Sequence, residues 1–372
     1  MNEGSGNQLQ DVDVEEENAA LFDKIIKLLK RSDRKKNAEV IMLIGRIGAG
    51  KSALINTIQK VLTGEYYPIA QMGSGKAQSV TLDLERHDNC GISLEHLEDE
   101  DRRHTKIKEI FPKLPHIVDC AGLGDVDSPQ LREILELLIG GFIPPDTNIG
   151  SLEKQQKENG VGCLSKLFPT ANPAWMVTKV VFMQSCRDQI PKNLIECLTG
   201  ILKITDYYTC KRKYTPEVFL LLTKYDLVEG HTVHFSNTND EGSMTLEEFG
   251  IFEDNIAQEF NIVGALKANR IRWASYSDRI QGDNQYIENI ALKFLKRMVQ
   301  PGPPSHKPSK PVVGVSTTIQ LFIFRIGNKL KRFFLQDVHL NISPALVVLL
   351  IVFAVVIAML YKLLSVKPEV KT

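Results

Sequence analysis

An uninterrupted apolar run, Val40-Ile41-Met42-Leu43-Ile44, feeds directly into Gly45-Arg46-Ile47-Gly48-Ala49-Gly50-Lys51-Ser52. Ala53-Leu54-Ile55-Asn56-Thr57-Ile58 then continues at helical spacing. The run has the length of a buried strand, and the glycines mark a loop between it and a helix. This order restricts the fold more than any other feature of the chain. Such a loop works at the carboxyl end of a strand in a parallel sheet, with the helix packed behind it. Gly48 and Gly50 let the backbone curl until successive N–H groups aim at one point, and the helix N-terminus adds its positive dipole there. Lys51 adds a point charge. That point suits a polyphosphate, lined by Gly45, Arg46, Gly48, Ala49, Gly50, Lys51 and Ala53. The Ser52 hydroxyl is placed to ligate a Mg²⁺ that the phosphates share.

Further apolar runs at 80–84, 116–119, 177–183, 218–222 and 270–274 alternate with helical patterns over 51–62, 130–139, 192–204, 246–260 and 286–299. Alternation of this kind predicts βα units, hence an α/β fold with a mostly parallel sheet and helices on both faces. The nucleotide-type domain is expected over residues 38–300. Ahead of it, residues 1–37 combine an acidic stretch (Asp11, Asp13, Glu15, Glu16, Glu17) with an amphipathic helix from about residue 14 to 31. Residues 1–13 are polar and are expected to lack fixed structure. The basic residues that follow, Lys24, Lys27, Lys30, Arg31, Arg34, Lys35 and Lys36, read either as a solvated helix flank or as a patch for a membrane or partner.

The far end of the chain differs in kind. Residues 301–318 form a Pro-rich linker, and 319–343 mix large apolar side chains with Arg325, Lys329, Lys331 and Arg332. That segment fits either a membrane surface or a helix packed on the main domain. From Ala345 to Tyr361 no charge interrupts an apolar run. A helix rising about 1.5 Å per residue crosses a hydrocarbon core in about 20 residues, so 344–364 is expected to span a membrane with Lys362 snorkelling at its edge. The short tail, 365–372, then lies across the membrane and the main domain faces the cytosol. The sequence leaves the endoplasmic reticulum and the outer mitochondrial membrane as equal destinations. Formal net charge is zero, which gives no reason to expect nucleic acid as a partner. The six cysteines form no close pairs, so reduced thiols are expected rather than a disulfide frame or metal knuckle.

Four more segments complete the chemistry. Ile117-Val118-Asp119-Cys120-Ala121-Gly122 ends a strand in D-x-x-G spacing. Asp119 would hold Mg²⁺ through water, and the Gly122 N–H would meet the terminal phosphate. Leu123 follows where Ras-type enzymes carry a water-orienting Gln, so hydrolysis is expected to be slow. Phe219-Leu220-Leu221-Leu222-Thr223-Lys224-Tyr225-Asp226 is a strand ending in T-K-x-D. A carboxylate at Asp226 can accept from N1–H and the exocyclic amine of guanine, a donor pair adenine lacks, and the Lys224 stem can lie along the base. Arg187-Asp188 is a rival guanine reader. Trp273-Ala274-Ser275 supplies a last loop whose N–H groups at Ala274 and Ser275 would meet the base. For the switch hydroxyl on Mg²⁺, the Gly73-Ser74-Gly75 region offers Thr81, with Ser79 as the alternative. The expected ligands are therefore GTP or GDP with Mg²⁺, on a P-loop fold of the GTPase type.

These residues resemble the nucleotide domain of the interferon-induced protein 44 family. The likeness lies in Gly45 to Ser52, Asp119-x-x-Gly122-Leu123, Leu221-Leu222-Thr223-Lys224-x-Asp226 and the helix running into Gly140-Gly141-Phe142-Ile143-Pro144. The immunity-associated GTPases are a near rival through Ser79-Val80-Thr81 and a C-terminal anchor. Either resemblance implies GTP binding, weak hydrolysis, nucleotide-dependent homo-oligomers and a role in innate immunity. Three readings follow: a regulatory switch or scaffold, a membrane-remodelling GTPase of the dynamin or atlastin sort, and a GTP-holding module without turnover.

Overall fold

The computed structural model describes residues 4–31, 38–70, 84–120, 122–205, 210, 212–228, 244–260, 269–276 and 282–301, with side chains from residue 13 onward. The linker after residue 301, the 319–343 segment, the expected span at 344–364 and the tail lie outside these residues, as do Ser79 and Thr81. Among the described residues no helix is long and apolar enough to cross a membrane.

Six strands form one sheet: β1 (Val40–Gly45), β2 (Glu85–His87), β3 (His116–Asp119), β4 (Lys179–Ser185), β5 (Glu217–Thr223) and β6 (Arg270–Arg272). Their order is β2-β3-β1-β4-β5-β6. All neighbours are parallel except β2, which runs antiparallel to β3 at the edge. Strands β1 and β4 are buried along their whole length, which is why their sequences are continuous apolar runs rather than alternating ones. Alternate residues feed two cores. Ile41, Leu43 and Ile117 face one side, and Met42, Ile44 and Val118 face the other.

The first core is covered by helices α1 (Gly4–Arg31) and α2 (Lys51–Thr63), then by α3 (Arg102–Ile110). Helices α4 (Pro129–Ile139), α5 (Ile149–Asn159), α6 (Cys163–Leu167), α7 (Lys192–Leu202) and α8 (Leu246–Glu259) cover the second. The last helix, α9 (Gln285–Met298), returns to the first face. The α/β architecture is therefore as the alternation predicts. Strand β2 begins at Glu85 rather than within 80–84, where only residue 84 is described, and β6 ends at Arg272 rather than at Ala274. Helices α3, α5 and α6 go beyond the sequence reading. In α3 the buried side chains are only His104, Ile107 and Ile110, so its polar sequence hides a one-sided helix.

The N-terminal helix is the clearest correction. It begins at Gly4, so the expected structureless stretch over 1–13 does not hold from that residue on. Nor is it an appendage: it belongs to the same compact unit as the sheet. Leu21, Phe22, Ile25, Ile26 and Leu29 are buried in the first core, each worth about 1.5–3 kcal/mol by apolar transfer. Polar contacts set its register on α9. Asn18 Nδ2 donates to the Gln285 carbonyl (2.9 Å) and Oε1 (2.9 Å), Asn289 Nδ2 donates to Asn18 Oδ1 (2.9 Å), and Lys293 pairs with Glu17 (3.0 Å). Lys106 of α3 pairs with Asp23 (2.6 Å), and Lys30 with Glu109. Some of the basic flank is thus engaged in holding the helix in place.

Strand order also marks a topological switch point. From β1 the chain passes to β3 on one side and later to β4 on the other, so the connections diverge at the carboxyl end of β1. In open α/β sheets ligands bind at such a point. The 45–52 loop sits there.

Candidate functional site

Backbone geometry at the loop is set by its glycines. Gly48 (φ 78°) and Gly50 (φ 90°) adopt left-handed conformations that other residues reach only under strain. Gly50 is also the N-cap of α2, and no side chain caps that helix. Helices α3, α4, α5, α8 and α9, by contrast, each start on a side-chain oxygen that accepts first-turn N–H groups. The first turn of α2 is left to an external acceptor, and the dipole favours an anion there.

Charge is arranged to match. Lys51 is buried, and its Nζ donates to the carbonyls of Gly45 (3.2 Å) and Arg46 (3.2 Å). Burial pushes the Lys51 pKa down, against the opposing pull of the Asp119 charge. Asp119 stands at the end of β3, fully buried, and burial raises its pKa while Lys51 and the Ser52 hydroxyl pull it back. Ser52 Oγ donates to Asp119 Oδ2 at 2.9 Å. Oδ1 is buried with no hydrogen-bond partner among the described residues. A native buried oxygen in that state calls for an explanation. A hard divalent cation with oxygen ligands supplies one, and the donor set (hydroxyl plus carboxylate) suits Mg²⁺ better than a soft metal.

The segment after Asp119 lies against the loop. The Leu123 N–H donates to the Gly45 carbonyl (3.2 Å). A Cβ on Gly122 would sit 2.5 Å from Ile47 Cγ1 and 2.8 Å from Ile47 Cα, so only glycine fits. Leu123 itself is buried, an aliphatic side chain with no group to orient water.

At the other end, β5 stops at Thr223 and its neighbour β4 at Ser185, in register. Thr223 Oγ1 donates to the Ala49 carbonyl at 2.8 Å, tying the T-K-x-D strand to the phosphate loop. Sequence reasoning places Thr223 at the nucleotide; the structure gives its hydroxyl this structural role. Lys224 then takes a left-handed conformation (φ 61°, ψ 32°). The reversal sends Tyr225 into the core against Phe249 (ring centroids 5.0 Å apart) and leaves Lys224 and Asp226 half-buried at the mouth. The last loop joins them: the Tyr225 N–H donates to the Trp273 carbonyl (3.1 Å), and Trp273 Nε1 donates to Ser275 Oγ (2.7 Å). Trp273 and Ala274 are completely buried and Ser275 is half-buried.

The structure thus places residues 45–53, Asp119, Gly122, Thr223, Lys224, Asp226, Ala274 and Ser275 at or just past the carboxyl ends of four strands of the sheet. The rival pair Arg187-Asp188 opens from β4, beside the same mouth, with Arg187 exposed and Asp188 half-buried. Sequence reading passed over Cys186, whose thiol donates to the Lys224 carbonyl (3.3 Å). No pattern marks such a contact, since it spans adjacent strands.

No family model matches the sequence, and no curated protein matches it. Among solved structures, one similar chain is Era in complex with MgGDPNP and nucleotides 1506-1542 of 16S ribosomal RNA, at 11% identity and a TM-score of 0.28. That likeness covers 72% of this chain and 58% of the Era chain. Another belongs to the signal recognition particle receptor SRb-GTP/SRX complex from Chaetomium thermophilum, at 12% identity and a TM-score of 0.27. It covers 69% of this chain and 98% of that one. Likeness at this level does not bear on function, which rests on the site itself.

Proposed function

We propose that the chain binds Mg²⁺–guanine nucleotide and works as a slow-turnover switch or scaffold. The observation that carries this is the buried Ser52–Asp119 pair with its unpartnered Oδ1, set beside Lys51 at the uncapped start of α2. Lys51 and the first-turn N–H groups would hold the phosphates, Ser52 and Asp119 the cation, and Asp226 with Lys224 the base. Thr81 is the proposed switch hydroxyl, with Ser79 its alternative. The cation would neutralise phosphate charge and fix the phosphates against the loop. Lys51 and Asp119 have lowered and raised pKa values in the protein alone, and each charged form gains a partner when nucleotide and cation arrive.

Turnover is a separate matter. With Leu123 buried and aliphatic, no side chain at that position orients water. Single-turnover hydrolysis followed against protein concentration separates the readings. A slow rate that rises with concentration supports an assembling GTPase, while no turnover at any concentration leaves a GTP-holding module. Equilibrium binding of GTP with and without Mg²⁺ tests the proposal itself. Binding that tightens with Mg²⁺ is expected, and absence of GTP binding overturns it.

The uncharged run from Ala345 to Tyr361 supports attachment to the endoplasmic reticulum or outer mitochondrial membrane with this domain on the cytosolic side. Homo-oligomer formation and a role in innate immunity rest on the family resemblance alone. The dynamin or atlastin reading is weaker, because only about twenty residues follow the Pro-rich linker before the expected span.

A further inference from the structure

Base recognition depends on a turn that the backbone does not favour. Lys224 is a long side chain in the left-handed region, a conformation that persists only when neighbours enforce it. The Lys224 carbonyl accepts from the Leu227 N–H (3.1 Å) within the turn, and two further contacts come from one residue just past the adjoining strand. The Cys186 backbone N–H donates to the Thr223 carbonyl (3.2 Å), and the Cys186 thiol donates to the next carbonyl, that of Lys224 (3.3 Å). Two successive peptide units are thereby gripped from the residue that follows β4. Register accounts for the grip: Ser185 pairs with Thr223 at the strand ends, so Cys186 is the first residue beyond the ladder on its side and Lys224 the first on the other.

Burial makes the thiol a dependable donor. Cys186 is 2% exposed, and desolvation, aided by the nearby Asp226 charge, pushes its pKa up to about 11, so it keeps its proton. Reactivity is correspondingly low, since thiolate chemistry needs exposure and a depressed pKa. A buried, protonated cysteine at this place has a mechanical use rather than a redox one.

We infer that Cys186 is a positioning residue for base selection: it locks the left-handed turn at Lys224 and so sets where the Asp226 carboxylate stands. This rests on the guanine reading of Asp226. The turn is held from its other side by the Tyr225 N–H on the Trp273 carbonyl (3.1 Å), so loss of the Cys186 contact would shift the turn rather than unfold it. Phosphate contacts from the 45–52 loop would be untouched.

The test compares GTP with inosine triphosphate, which keeps the N1–H but lacks the exocyclic amine. Full-length wild type, C186S, C186V, K224G, C186V/K224G and D226N are titrated with each nucleotide. Wild type is expected to favour GTP by about tenfold, the worth of one hydrogen bond to a charged acceptor. C186V matches cysteine in size without a donor, and its preference is expected to fall to within about twofold of unity, while C186S retains the wild-type ratio. Glycine reaches the left-handed region without strain, so C186V is expected to change nothing further in the K224G background. A purely structural role would give no rescue by serine and no dependence on residue 224. If C186V keeps the wild-type ratio while D226N loses it, Cys186 has no positioning role and the guanine reading stands. If wild type shows no preference and D226N changes nothing, the guanine reading fails and this inference fails with it.

Discussion

The two ends of the site are built differently. The phosphate end is one contiguous stretch, residues 45–52, and its geometry is dictated locally by Gly48 and Gly50 and the uncapped start of α2. The proposed base end is assembled where three strands finish: Cys186 follows β4, Thr223 to Asp226 run from the last residue of β5, and Trp273 to Ser275 follow β6. The first end is over-determined by sequence. The second exists only once the sheet has formed. One hydroxyl, that of Thr223 on the Ala49 carbonyl, connects them.

That contrast can be broken by substitution, and the largest effect is expected at the phosphate end. K51A removes the buried charge at the start of α2 that the proposal sets on the phosphates. It is expected to weaken GTP, GDP and ATP alike by about a hundredfold or more, as loss of charge-assisted contacts to a polyanion does. Equilibrium titration with all three checks this; a loss confined to one base would contradict the division between the ends. D226N should do the reverse, lowering GTP affinity by about ten- to a hundredfold and leaving ATP unchanged.

Cation dependence comes next in size. D119A takes away the buried oxygen pair, so the gain in GTP affinity on adding Mg²⁺, about tenfold or more in the wild type, should vanish, with affinity in a chelator little altered. A D119A protein that still responds fully to Mg²⁺ would detach Asp119 from the cation.

The smallest effect tests the bridge. T223V keeps the shape and removes the hydroxyl, leaving the Ala49 carbonyl without that donor. About 1 kcal/mol of stability should be lost, with a several-fold weakening of GTP and a smaller one of ATP. Chemical denaturation and the same titrations read both.

Legibility in the sequence follows the same division. The loop, its strand and its helix were readable because glycine, lysine and serine at fixed spacing have one shared physical use. Asp119 was readable because it ends an apolar run, and Asp226 because it follows one within a T-K-x-D spacing. The direct hydrogen bond between Ser52 and Asp119 was not, since nothing local brings two residues so far apart in sequence to 2.9 Å. Thr223 was legible as a residue, but its hydrogen bond to the Ala49 carbonyl was not, because that partner lies on another strand's loop. Cys186 carried no signal at all. On the fold side, α1 was placed by its apolar spacing from Ala19 to Leu29, but its start at Gly4 was hidden by two glycines and polar residues with little apolar periodicity. The α5–α6 pair was hidden similarly: the buried Glu133 carboxylate organises it by accepting from Gln156 Nε2 (2.9 Å), the Gly162 N–H (2.8 Å) and the Ser165 N–H (3.0 Å). Periodicity does not register a hub of that kind.

The central claim is that the mouth beside Asp226 selects guanine while the 45–52 loop holds phosphate. It is tested most directly by measuring GTP and ATP affinities of the full-length protein in Mg²⁺, with D226N alongside. GTP is expected to bind at least about a hundredfold more tightly than ATP, the worth of a charge-assisted donor pair, with D226N erasing most of that difference. Equal affinities for GTP and ATP in the wild type would contradict it.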